Sequence, residues 1–130
     1  MSNKVPPISR IPIFLTLNNQ IDLKGELVRY LSPLTVKAII TKLPFSQLVN
    51  NFKNKFLYVK LDLDIGVEKP VNKLKRGDIA FSPMSNSVCI FIEDYKHNQQ
   101  LNHIGYIENE NLYELLKTKA GDILTIKKGD

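Results

Sequence analysis

The run 75–92, KRGDIAFSPMSNSVCIFI, constrains the fold of this chain more than any other stretch. A turn at Gly77 and Asp78 leads into the short strand 79–82, and Pro83 stops that strand because it lacks the N–H a ladder needs. The loop 84–87 then returns the chain into Val88, Cys89, Ile90, Phe91 and Ile92. A strand that is apolar at every position has no face to give to water. The segment reads as a hairpin with one strand buried on both faces, which calls for a closed or sandwiched β architecture.

Elsewhere the hydrophobic period is mostly two. Ile13, Leu15 and Leu17 share one face, Asn18 and Asn19 offer the left-handed pair of a tight hairpin, and Ile21, Leu23, Gly25 and Leu27 resume the alternation. Asp22, Lys24 and Glu26 put the other side of that second strand in water. Ser32 and Pro33 read as an N-cap and first helical residue, with Val36, Ile39, Ile40 and Leu43 on one helix face and Pro44 ending it. The β-branched content makes this a poor helix in isolation, so docking on a sheet must hold it.

The segment 45–52 suits a strand with Leu48 or Val49 inward. Leu57, Val59, Leu61, Leu63 and Ile65 predict one long, half-buried strand. A polar connection follows over 66–76, with Val67 and Val71 suggesting a short edge strand, and DYKHNQQLN at 94–102 reads as a polar loop. A brief strand at 104–107, a short helix through Leu112, Leu115 and Leu116, capped by Asn109 or Asn111, and a last strand at 122–127 complete the chain. About eight strands and two short helices suit a small barrel or sandwich.

The chain has 130 residues and is 43% hydrophobic, enough for one core. The expected organisation is a flexible N-terminal arm over 1–10, marked by Pro6 and Pro7, and a single domain over 11–130. A lone cysteine, Cys89, leaves no intramolecular disulfide and suits a reducing compartment. No apolar stretch approaches a membrane span or a secretory core, so a soluble, cytoplasmic protein is expected.

The net charge is +5, yet of 18 basic residues only Arg10, Arg29 and Arg76 are arginines. Lysine gives solubility and diffuse attraction for anions, whereas arginine supplies the fork that grips phosphates and base edges. Nucleic-acid binding is permitted, not indicated. The clusters Lys53, Lys55, Lys60 and Lys69, Lys73, Lys75, Arg76 are interleaved with Asp62, Asp64 and Glu68, as on a solvated mixed surface.

Taken in order, two N-terminal strands, a helix ending at Pro44 and Phe45, SQLVNNF, and the strand FLYVKL resemble the small prokaryotic cyclophilin-like proteins of an uncharacterised family. RGDIAFSPMSNSVCIFI is similar to that family's glycine-aspartate turn, aromatic-x-proline strand and cysteine-bearing strand. Ile104-Gly105-Tyr106-Ile107 and Ala120-Gly121-Asp122-Ile123 resemble its closing elements. The likeness spans about 12–127 and implies a closed eight-stranded cyclophilin-like barrel, with no established activity. Many relatives continue the cysteine strand with an aromatic-glycine-x-threonine-proline segment, where this chain has Ile92, Glu93, Asp94 and Tyr95.

The resemblance makes prolyl isomerisation the first activity to weigh. Cyclophilins place a phenylalanine-histidine-arginine motif after the first helix, and its arginine weakens amide resonance across a barrier of roughly 18–20 kcal/mol. Here the equivalent stretch is Phe45-Ser46-Gln47-Leu48-Val49-Asn50, without arginine or histidine. No catalytic residue is assigned, and a non-catalytic barrel binding a peptide or small molecule is the expected function.

His97, His103 and Cys89 lack the spacing of a metal or nucleophile site, and Cys89 reads as a buried hydrophobe. Asp62-x-Asp64-x-Gly66 lacks the remaining positions of a calcium loop. Glu108, Glu110 and Glu114 suit a helix N-terminus. No cofactor or metal is expected. In a cyclophilin-like barrel the ligand groove lies on an outer face near the central hairpin, which makes Gln47, Asn50, Phe52, Phe81, Met84, Phe91 and His103 the candidate groove residues, although each phenylalanine also suits a core.

Overall fold

The computed structural model describes residues 9–129. Its elements are β1 (Arg10–Leu17), β2 (Ile21–Val28), α1 (Pro33–Lys42), β3 (Phe45–Leu48), β4 (Asn50–Phe52), β5 (Phe56–Lys60), β6 (Val71–Leu74), β7 (Asp78–Ser82), β8 (Ser87–Phe91), β9 (Tyr95–Ile107), α2 (Leu112–Leu115) and β10 (Ile123–Lys128). The main sheet runs β3-β10-β1-β2-β9-β7-β8-β5-β4, and β6 pairs with β9 off that path. All of these pairings are antiparallel.

The two ends of the order are successive pieces of one segment. Val49 alone separates β3 from β4, and its side chain is buried in the core. The Val49 N–H donates to Asp122 O at 2.7 Å and its carbonyl accepts from Gly121 N at 2.9 Å, so β10's approach holds the kink in place. This corrects the expected closed eight-stranded barrel: the sheet has ten strands, and its order does not close on itself. Turning Val49 inward splits the segment 45–52 into one piece paired with β10 and another paired with β5, so two separate ladders stand where a single strand was expected.

The β1–β2 hairpin turns through the three residues 18–20, with Asn18 and Asn19 in left-handed backbone at φ 50° and 58° and Gln20 N–H donating to Leu17 O at 2.9 Å. The sheet wraps a core that includes Leu15, Leu23, Leu57, Ile79, Phe81, Ile90 and Ile104, and α1 adds Val36 and Ile39 to it. Full burial of a side chain such as Phe81 contributes about 1.5–3 kcal/mol. Helix α1 starts at Pro33 as expected, but Ser32 provides no side-chain cap; its hydroxyl instead donates to His103 O at 2.8 Å.

Both β7 and β8 are buried at every position. Their inward side chains enter the main core, while Ala80, Cys89 and Phe91 join Phe56, Leu74 and Leu101 in a second cluster on the outer face. The ribbon of β6 and the first half of β9 covers that cluster. Here the expected polar loop at 94–102 is overturned: it forms most of the first half of a 13-residue strand. Tyr95, His97 and Gln99 are half-buried while Lys96, Asn98 and Gln100 are exposed, a period of two written largely in polar letters.

The long strand expected to reach Ile65 ends at Lys60, whose partner Ser87 is the first residue of β8. Beyond it the chain forms no ladder among the described residues, although Leu61 and Leu63 remain in the core. The expected arm over 1–10 lies, for residues 1–8, outside the described residues; Arg10 already pairs with Val28 in β1. Among the described residues no helix is long and apolar enough to cross a membrane.

Candidate ligand hollow on the outer sheet face

Alternation along β5 that sends Leu57 and Val59 into the core sends Phe56, Tyr58 and Lys60 to the outer face. Beside them stand Asn50 and Phe52 of β4 and Ser87 and Cys89 of β8, and across from them Tyr95, His97, Asn98 and Gln99 of β9. These side chains, with Ser85, line a hollow of about 430 Å³. That volume is within the range of small-molecule sites.

Phe56 is the centre of an aromatic cluster. Its ring lies 5.0 Å from those of Phe52 and Phe91, 5.4 Å from His97 and 5.6 Å from Tyr95. Offset and tilted pairs of this kind add about 0.5–1.5 kcal/mol each beyond their area burial, so the walls are held in place before any ligand arrives.

The polar groups have defined roles. His97 Nδ1 lies 3.0 Å from Gln99 N and accepts its N–H, so the neutral ring carries its proton on Nε2. Burial lowers the pKa of His97, favouring that neutral form. At the floor, burial pushes the Cys89 thiol up to about 12, against a small opposing pull from Lys60. A thiol so protonated is packing and not a nucleophile. Lys60 Nζ donates to Ser85 O at 2.7 Å.

A larger depression of about 610 Å³ lies between the end of α1 and residues 62–65. It has no aromatic wall, and Lys42, Asp62 and Asp64 face it as solvated charges. Convergent aromatic and amide groups make the smaller hollow the better candidate.

The expected groove residues separate. Asn50 and Phe52 line the hollow, and Phe91 packs beneath it against Phe56. Phe81 lies in the main core on the other side of the sheet. Gln47 is exposed on β3 opposite Leu124, and Met84 is exposed at the tip of the β7–β8 loop. His103 sits on the far half of β9, its Nε2 3.0 Å from Gly105 O and 3.5 Å from Asp78 Oδ1, with Tyr106 edge-on at 4.9 Å. Sequence reasoning missed Phe56, Tyr58, Tyr95, His97 and Gln99. The alternation Tyr95-x-His97-x-Gln99-x-Leu101 was the available signal.

The structure thus defines a β protein with two helices packed against its core and an aromatic hollow on an outer sheet face. A family model described as cyclophilin-like matches residues 10–127, and the chain belongs to that family. A hypothetical protein from Archaeoglobus fulgidus, known from its solution structure, superimposes with a TM-score of 0.74 at 18% identity, covering 93% of this chain and 96% of the other. McbB, solved in complex with tryptophan, superimposes with a TM-score of 0.75 at 14% identity; the match covers 88% of this chain and 44% of McbB. At these identities the likeness is one of fold. No curated protein matches this chain.

Proposed function

We propose that this protein is a non-catalytic binder of a small aromatic ligand or short peptide, held in the hollow between β5 and β9. The observation that carries the reading is the set of aromatic rings around Phe56, with amides from Asn50, Asn98 and Gln99 at the rim. Rings supply area and rim amides supply orientation. McbB, a protein of like fold, has been solved with tryptophan, which is compatible with this reading.

Prolyl isomerisation finds little support. None of the arginines lines the hollow: Arg10 pairs with Glu26 on β1 and β2, Arg29 follows β2, and Arg76 precedes β7. Without an arginine there, no guanidinium fork donates to the prolyl nitrogen to draw its lone pair out of amide resonance. The lone, buried Cys89 fits a cytoplasmic location.

The chain contains no tryptophan, so indole fluorescence reports a ligand alone. Titrating protein into N-acetyl-tryptophan amide and short tryptophan peptides should give a saturable change that Tyr95→Ala weakens. A linear response, or one that Tyr95→Ala and Phe52→Ala leave unaltered, would sink the proposal. A protease-coupled assay on a proline peptide should show no rate above the uncatalysed reaction.

A further inference from the structure

We infer that the hollow selects an aromatic ligand carrying a carboxylate, with its ring beside Phe56 and its carboxylate at Lys60. The inference rests on the binding reading above and adds the charge and layout of the ligand.

Lys60 is the one charged residue lining the hollow among the described residues. A second cation stands near the opposite end, where Lys53 Nζ lies 5.5 Å from the centroid of Phe52. The nearby carboxylates are engaged elsewhere: Glu93 pairs with Lys55 at 3.0 Å, and Asp94 accepts from Arg76 N at 2.9 Å. Neither lines the hollow. The local field therefore favours an anion and disfavours an amine.

Lys60 is also oriented. One of its three protons is taken by Ser85 O at 2.7 Å, which ties the side chain to the β7–β8 loop and leaves two N–H groups for a ligand. Phe56, Tyr58 and Lys60 lie along one face of β5, and a rise of about 3.3 Å per residue places Lys60 about 13 Å from Phe56 at the backbone. Gln99 stands toward the Lys60 end: its Oε1 accepts from Ser82 Oγ at 3.1 Å, and Ser82 pairs with Ser87, the partner of Lys60. An aromatic cluster at one end and a cation with a neighbouring amide at the other match an aromatic residue followed by a peptide bond and a free carboxylate. A free aromatic acid shares the chemistry of the two ends.

The test compares N-acetyl-Trp-Gly with its C-terminal amide, two probes that differ only in the carboxylate, by indole fluorescence. A charge-assisted hydrogen bond predicts that the acid binds about tenfold more tightly to the wild-type protein. Lys60→Met should erase that preference, so that acid and amide bind alike, and added salt should weaken the acid more than the amide. Indole-3-propionate separates the sources: tighter binding than N-acetyl-Trp-Gly points to a free acid, weaker binding to a peptide terminus, and either supports the carboxylate assignment if Lys60→Met reduces it. Equal binding of acid and amide would overturn the inference and leave the binding reading standing. Failure of every probe to bind would overturn both.

Discussion

Glu68 caps helix α1 at Thr35, from a point in the chain 33 residues further on. Its Oε1 accepts the Thr35 N–H at 3.0 Å and the Thr35 hydroxyl at 2.9 Å, and its Oε2 accepts the Leu34 N–H at 2.9 Å. Asn102, fully buried in β9, completes the latch: its Oδ1 accepts from Glu68 N at 2.7 Å, and its Nδ2 donates to Thr35 Oγ1 and Gly66 O at 2.9 and 3.0 Å. A helix of poor intrinsic propensity is thereby pinned at its N-terminus by two other segments of the fold. Glu68→Ala should cost about 1–2 kcal/mol, the range for losing a cap, read as a shift in the urea midpoint.

The same carboxylate sets an acid dependence. Burial pushes the Glu68 pKa up, but hydrogen bonds from Leu34 and Thr35, helped by Lys69, outweigh it and hold the pKa below the usual 4.5. A carboxyl lowered in the folded state stabilises fully above its unfolded value, and that contribution is lost as pH falls through the folded value. Urea midpoints measured from about pH 6 to pH 3 should therefore fall less steeply for Glu68→Gln than for the wild-type protein. Identical slopes would show that the cap carries no linked proton.

Gly105 lets β9 press against β2. It pairs with Leu27, and a Cβ added there would stand 2.0 Å from Glu26 O, an overlap no rotamer change relieves because the atom is backbone. Gly105→Ala should destabilise by on the order of 3 kcal/mol or more. Gly66→Ala is the control: nothing lies within 4 Å of its added Cβ, and its stability should stay within about 0.5 kcal/mol of wild type.

Cys89 should be almost inert in the folded protein. With its pKa pushed from 9.0 to about 12, its thiolate fraction at pH 8 falls by about 10³ relative to the unfolded chain. A chromogenic disulfide reagent should react quickly in concentrated urea and slowly without it. Fast labelling under native conditions would mean that the floor of the hollow opens to solvent.

His97 should titrate below its usual 6.5, because burial penalises the charged ring. A histidine whose pKa is lowered on folding is fully compatible with the native state above the unfolded value, and it draws stability down as pH drops below about 6.5. An NMR titration of the His97 ring proton checks this directly, since a midpoint at or above 6.5 would contradict a half-buried, neutral ring.

How much of this was legible in advance depended on whether the information was local. The Asn18-Asn19 turn, the start of α1 at Pro33 and the hairpin of β7 and β8 were readable because each rests on neighbouring residues, through left-handed backbone, proline geometry or unbroken apolar character. The first half of β9 was hidden because its inward positions, Tyr95, His97 and Gln99, cover an aromatic patch on another strand and need not be aliphatic. Phe81 and Phe91 illustrate the limit well. Both are buried phenylalanines on the same hairpin, yet one fills the main core and the other lies under the hollow, because they point to opposite faces of the sheet.

By itself the amino-acid order determined that the chain would be mainly β and would need both faces of its central hairpin covered, since apolar periodicity is a property of neighbours. Only the tertiary structure decided what covers them and where a ligand could sit. Folding β9 and β6 back over Phe56 created the second cluster and the hollow beside it. Pairing Glu68 with Thr35, and Lys60 with Ser85, is likewise a matter of distance in space, which no local pattern encodes.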